Sequence, residues 1–212
     1  YFHDFDATHD DLVHVSVKNH LQGSMNADAH IQKEVSFEKA AGGFMVADPL
    51  TLYDCCPTSD GASCVVLAAD HVARKLTDTP VWVRGSGAAS DHLALHDRPT
   101  ITQLKATKEA STKAYAMAGV NARNIDLAEV HDCFTIAEVL ATEDLGLTGR
   151  GEGGVFARNG EGRLNEGTTT VNASGGLKSK GHPLGATGTG QVVEVFKQLR
   201  GQVSSDRQVR DA

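Results

Sequence analysis

Residues 168–199 read TTTVNASGGLKSKGHPLGATGTGQVVEVFKQL, and this stretch decides the fold. TTTVNASGG begins β-branched and ends small, the composition of a strand that runs into a tight turn. GLKSKGHP is the turn, and Leu184 to Leu199 is a helix. Pro183 suits the first helical position, where its missing N–H would have had no partner.

The same alternation appears upstream. Ser63 to Ala69 is a short apolar strand that leads into a helix over Asp70 to Leu76. VWVRGSGAA, from Val81, is a strand running into glycines. Thr102 to Ala118 is a helix with Leu104, Ala110, Ala114 and Met117 as its inner face. LAEVHDCF, residues 127–134, is a buried strand, and Thr135 to Leu145 is a helix stopped by Gly146. Thr148 to Gly167 is a glycine-rich loop. Strands alternate with helices across residues 79–200, the signature of parallel βαβ units.

Residues 8–40 differ in character. Thr8 precedes a capped helix with Asp10 and Asp11 in its first turn and Gly23 as its stop. A second polar stretch runs from Asn26 to Ala41. Little of it is apolar enough for a core, so it reads as an insertion packed on a larger body. His3, His9, His14, His20 and His30 read as solvated.

The chain has 212 residues, 40% apolar and 22% charged, enough for one large domain or two small ones. Aromatics make up 5% and glycines number 22, which suits an α/β protein with tight strand–helix turns better than a β-sandwich. Net charge is −7 with the acid spread along the chain, leaving no basic stripe for nucleic acid. No apolar run approaches the ~20 residues that cross a bilayer. Tyr1 to Asp11 are too polar for a signal peptide, and the absent initiator Met places the native start upstream. The polar tail QVSSDRQVRDA stands where a layered domain closes with further strands, which points to truncation there too. Cys55, Cys56, Cys64 and Cys133 include no CxxC pair, so neither a zinc site nor a disulfide framework is indicated. Reduced thiols place the protein in the cytoplasm.

Three features carry chemistry. His131, Asp132, Cys133 and Phe134 lie at the end of a strand, where open α/β sheets collect reactive side chains. A cysteine beside a histidine there suits a proton shuttle, and it equally suits a buried structural thiol. His182 sits just before a helix start, where the dipole disfavours imidazolium. A neutral imidazole there can take a proton from a thiol or donate to an oxyanion, or simply cap the helix. Asn172 to Gly176 is a small-residue turn whose paired glycines, Gly175 and Gly176, let a backbone approach an extended ligand, or merely bend. Gly149 to Gly154 matches G-x-G-x-x-G but follows a helix and carries Glu152, so it is no nucleotide site. No G-x-S-x-G elbow supports a serine hydrolase.

HDCF at 131–134 and NASGGLKSKGHPLGATG at 172–188 together resemble the thiolase superfamily. HDCF is similar to the branch holding sterol-carrier-protein-x thiolases and archaeal-type acetyl-CoA acetyltransferases. ADPLTLYDCCPTSDGASCVVL and GLTGRGEGG resemble that branch as well, and the likeness runs from about Ala7 to Gly201. It implies an α/β layered αβαβα sandwich, present here as mostly the C-terminal half. Residues 1–43 would end a loop domain, 44–78 would end the N-terminal half, and 79–212 would be the C-terminal half.

The implied reaction is reversible Claisen condensation of acyl-CoA thioesters, with no cofactor and no metal. Cys133 would move the α-proton, His182 would activate a nucleophilic thiol and help hold the thioester oxygen, and His131 would help bind the enolate oxygen. Gly175 and Gly176 would lie along the pantetheine arm, with Phe134 beside the substrate. No cysteine here sits in a loop like the family's nucleophile loop, so the isolated chain is expected to be inactive. The resemblance implies a homo-oligomer at full length and a possible small acyl-CoA-binding partner protein. A thiolase-fold aldolase acting on sterol side-chain CoA thioesters, and a non-catalytic acyl-CoA-binding subunit, are the alternatives.

Overall fold

A computed structural model of the chain describes residues 1–210. Asp211 and Ala212, the end of the 79–212 segment, lie outside the described residues. The first helix, α1 (His9–Ser24), packs into the body with ten of its residues buried. It packs against α2 (Phe37–Ala41), α5 (Thr135–Asp144), α6 (Gly153–Arg158) and α7 (Gly176–Ser179). Leu12, Val13 and Val15 are buried, as expected of a core helix, but so are Ser16, Lys18, Asn19, His20 and Gln22. Composition alone marks this helix as solvated. It is buried because each polar group except a few finds a partner across the interface, which removes most of the desolvation cost.

Those partners span the molecule. Lys18 Nζ pairs with Glu138 at 2.8 Å and donates to the Val171 carbonyl at 2.7 Å. Gln22 donates to the carbonyls of Val171 and Asn172 at 2.9 and 2.7 Å. At the helix start, Asp11 accepts from the Thr8 N–H at 2.9 Å and from Arg158 of α6 at 2.7 Å. Of the histidines expected in solvent, His3 and His30 are exposed, but His9 bonds Asp54 at 2.8 Å and His20 is only 4% exposed.

Two small sheets are present. β1 (Met45–Ala47) pairs antiparallel with β2 (Leu50–Thr51). β3 (Leu127–Ala128) pairs parallel with β4 (Thr170–Val171), with α5 and α6 between them in the chain. This is the expected βαβ connection, though its ladder is shorter than LAEVHDCF and TTTVNASGG suggest. The glycine-rich loop over 148–167 contains α6, whose first residue, Gly153, donates its N–H to Glu143 at 2.9 Å. An apolar cluster of Val130, Ala141, Phe156 and Val171 fills the space between β3, β4, α5 and α6.

Residues 57–103 lie over the surface. α3 (Asp70–Leu76) forms as expected and has no buried residue. The strands expected at Ser63–Ala69 and from Val81 have no ladder partner among the described residues, and Val66, Leu67 and Val83 are 86%, 79% and 74% exposed. Strand composition makes a strand only where a neighbour completes the hydrogen bonds. The segment after Val81 runs along α4 (Lys105–Ala118), where Lys113 Nζ donates to the Ala88 carbonyl at 2.9 Å. α4 buries none of its residues fully, and Met117, expected on its inner face, is exposed. α8 (Thr187–Leu199) starts three residues later than Leu184. The tail is less polar in behaviour than in composition: Arg207 and Val209 are buried, and Arg207 forms an ion pair with Glu194 of α8.

Candidate active site

The end of β3 and the turn after β4 come together, and they bring the two histidine motifs into contact. The His131 and His182 rings meet edge to face with centroids 4.7 Å apart. Cys133 lies half-buried between His131 and the start of α5. Phe134, at the N-terminus of α5, is 42% exposed and faces outward from the same corner. His131, Cys133, Phe134 and His182 therefore collect at one place on the surface.

Asp132, between the two reactive positions, holds them there. It is fully buried and accepts from the Leu177 N–H at 2.7 Å, the Lys178 N–H at 3.4 Å and Asn19 Nδ2 at 2.8 Å. Its carboxylate thus caps α7, whose last residue, Ser179, lies three residues before His182. Asn172, in the left-handed region at φ 58°, completes the frame. Its side chain accepts from the Val130 N–H at 2.8 Å and donates to Glu138 at 2.7 Å. Burial, followed by the Glu138 charge, pushes the Asp132 carboxyl up. Sequence reading missed this frame of Lys18, Asn19, Asp132, Glu138 and Asn172. Asparagine at a turn was the available signal.

The glycine pair has a different environment from the one expected. Gly175 and Gly176 are buried, both with positive φ. A Cβ on Gly175 would stand 2.5 Å from Gly23 Cα of α1, and one on Gly176 would overlap the Asp132 carboxylate. The close backbone approach that glycine permits is made here to α1 and to Asp132.

His182 is oriented by Thr187. Its Nδ1 lies 2.7 Å from Thr187 Oγ1, and that hydroxyl donates its single proton to the Pro183 carbonyl at 3.0 Å. The hydroxyl must therefore accept from Nδ1–H, which leaves the Nε2 lone pair free. Burial lowers the pKa of His182, and burial together with the His182 charge lowers that of His131, so both rings are neutral at pH 7. Burial pushes the Cys133 thiol up. A neutral base, a thiol proton donor and an imidazole able to donate to oxygen are thus gathered at one corner. This set can move a proton next to a carbonyl while stabilising the oxyanion that forms.

The chain is similar to several known proteins. The family described as "Thiolase C-terminal domain-like" matches residues 87–212. The acetyl-CoA acetyltransferase of Methanothermobacter thermautotrophicus is 48% identical over 212 residues, all of this chain and 55% of that protein. The benzoylsuccinyl-CoA thiolase subunit BbsB of Thauera aromatica is 38% identical, over 95% of the chain and 52% of that protein. Human sterol carrier protein 2 is 37% identical, over 92% of the chain and 36% of that protein. The chain spans about half the length of the first two of these relatives. Among solved structures, the Ltp2-ChsH2(DUF35) aldolase superposes with TM-score 0.87 at 25% identity, covering the whole chain and 55% of that structure.

Proposed function

Because this chain belongs to the thiolase family and has a partial thiolase fold, we propose that it supplies the proton-transfer half of an acyl-CoA acyltransferase. The reaction is the reversible Claisen condensation of an acetyl-CoA acetyltransferase or 3-oxoacyl-CoA thiolase. The observation that carries the reading is the juxtaposition of His131, Cys133 and His182 at one corner, with His182 held as a neutral base.

In the condensing direction, the Cys133 thiolate removes the α-proton of an acyl-CoA, and His131 donates to the enolate oxygen that develops. The enolate carbon then attacks an acyl group carried on a thiol supplied outside these 212 residues. His182 Nε2 takes the proton of that thiol when it is acylated, hydrogen-bonds the oxyanion of the tetrahedral intermediate with it, and passes it to the departing CoA thiolate. In thiolysis the steps reverse, and Cys133–SH returns the proton to the departing enolate. Burial, which pushes the Cys133 thiol up, makes its thiolate a stronger base for the α-proton. Acyl-CoA thioesters are the substrates, with Phe134 beside the acyl end. The reading includes a cytoplasmic, homo-oligomeric enzyme; among the described residues no helix is long and apolar enough to cross a membrane. The domain division at residues 43 and 78 belongs to the same proposal.

The aldolase likeness favours a second reading, retro-aldol cleavage of a CoA thioester, which needs no acylated thiol. One assay separates the two. Acetoacetyl-CoA thiolysis is followed by loss of enolate absorbance, for this chain alone and joined to the part of the Methanothermobacter protein that it does not match. Activity in the joined protein only, lowered by Cys133→Ala at least ~100-fold, supports the thiolase reading. A folded, CoA-binding but inactive joined protein sinks it and brings the aldolase forward.

A further inference from the structure

Cys56 and Cys133 stand opposite each other across two short extended segments. Cys55 and Phe134 form an isolated antiparallel bridge, so the residue after Cys55 faces the residue before Phe134. The Cys56 N–H donates to the Cys133 carbonyl at 3.1 Å, which fixes that register. Residues opposite one another in antiparallel pairing point their side chains to the same face, with Cα atoms about 5.5 Å apart in a hydrogen-bonded pair. A disulfide spans Cα separations of about 4.4–6.8 Å. Cys55 points the other way, and its thiol donates to the Thr51 carbonyl at 3.5 Å.

Both segments are held from behind. Asp54, two residues before Cys56, accepts from the Thr51 N–H at 2.7 Å and hydroxyl at 2.9 Å, from Thr135 at 2.7 Å, and from His9 at 2.8 Å. Asp132, next to Cys133, is tied to α7 and α1 as described above. Beside the thiols lies Lys178, 1% exposed, whose Nζ has no hydrogen-bond partner among the described residues. Burial pushes the Cys56 and Cys133 thiols up, and the positive charge of Lys178 opposes this. Both Cys56 and Cys133 are half-buried.

We propose that Cys56 and Cys133 form a reversible oxidation site, in which an oxidant of the hydroperoxide class joins them in a disulfide that a thiol reductant reopens. One thiolate attacks the peroxide O–O bond and becomes a sulfenic acid with loss of hydroxide. The second thiolate attacks the sulfenic sulfur and expels a second hydroxide. Two thiols thus lose two protons and two electrons, and hydrogen peroxide becomes two waters. While the bond exists, Cys133 has neither a thiolate to accept a proton nor a thiol to return one, so turnover stops. The sulfur is also kept from the irreversible sulfinic state. This last consequence rests on the assignment of Cys133 as the proton-moving group, whereas the pairing itself does not.

The test begins with this chain carrying Cys64→Ser, which removes the exposed thiol. It is treated with hydrogen peroxide, alkylated and digested with trypsin without reduction. The expected product links the peptide Ala40–Arg74 to Asn124–Arg150, and dithiothreitol dissolves the link. The link persists in Cys55→Ser and is lost in both Cys56→Ser and Cys56→Ala, with circular dichroism confirming that each variant is folded. No link in the folded parent, or a link that survives Cys56→Ser and disappears in Cys55→Ser, overturns the pairing and leaves the thiolase reading untouched. In the joined, active protein, peroxide abolishes thiolysis and dithiothreitol restores it. A fully linked protein that still turns over keeps the site and overturns the role given to Cys133.

Discussion

Acidification should unfold this chain through His20, and Gln at that position should remove the effect. His20 lies inside α1, 4% exposed, edge-on to Tyr53 at 5.9 Å, with Nδ1 unpartnered among the described residues. Burial, followed by the Lys178 charge, lowers its pKa to about 4, and a hydrogen bond to the Lys33 backbone opposes this only in part. An unfolded histidine titrates near 6.5. A base whose pKa is depressed by folding contributes stability that is complete above the unfolded value and is lost as pH falls through the folded one. The loss is about 2 kcal/mol by pH 5 and about 3 kcal/mol by pH 4, relative to pH 7. Urea unfolding followed by far-ultraviolet circular dichroism, at constant ionic strength and at pH 7, 6, 5 and 4, measures this for the parent and for His20→Gln. The gap between the two stability curves should change by about 3 kcal/mol over that range, with the parent losing more. Curves that stay parallel within about 0.5 kcal/mol would refute the argument that burial holds His20 neutral.

Three further outcomes follow from the geometry. Arg207→Met strips the partner from the buried Glu194 carboxylate and should lower unfolding free energy in urea by about 3–5 kcal/mol. Gly176→Ala puts a Cβ onto the Asp132 carboxylate at φ 59° and should cost at least ~2 kcal/mol in the same assay, whereas Gly185→Ala, with open space around it, should change little. Thr187→Val removes the acceptor that fixes Nδ1–H of His182, and should lower thiolysis by the joined protein about 10- to 100-fold. Thr187→Ser should restore most of it, and equal losses in both would remove the hydroxyl from the account.

The elements that sequence reveals are those whose own residues dictate them. α5 and α8 have an apolar face and identifiable ends, and both form within three residues of expectation. The meeting of the His131 and His182 motifs was legible only through the resemblance to thiolases, which gives both histidines a part in one reaction. α1 was misread because its burial depends on partners more than a hundred residues away. Lys18 reads as surface until Glu138 and the Val171 carbonyl are in view. Met117 failed for the reverse reason, since helical spacing identifies a face without saying that anything covers it. Gly175 and Gly176 were correctly seen as permitting close approach, but the approached groups, Gly23 and Asp132, belong to tertiary structure.

The frame behind the site also constrains how such a sequence can drift. Lys18, Asn19, Asp132, Glu138 and Asn172 are linked to one another by hydrogen bonds and an ion pair across four segments. Replacing one orphans a buried group at about 1–3 kcal/mol, a large share of a domain's margin, whereas replacing several together with a matched apolar set can be nearly neutral. Stepwise paths between those solutions pass through poorly folding intermediates. The five positions should therefore be inherited as a block, while the exposed stretch from 57 to 103 diverges one residue at a time.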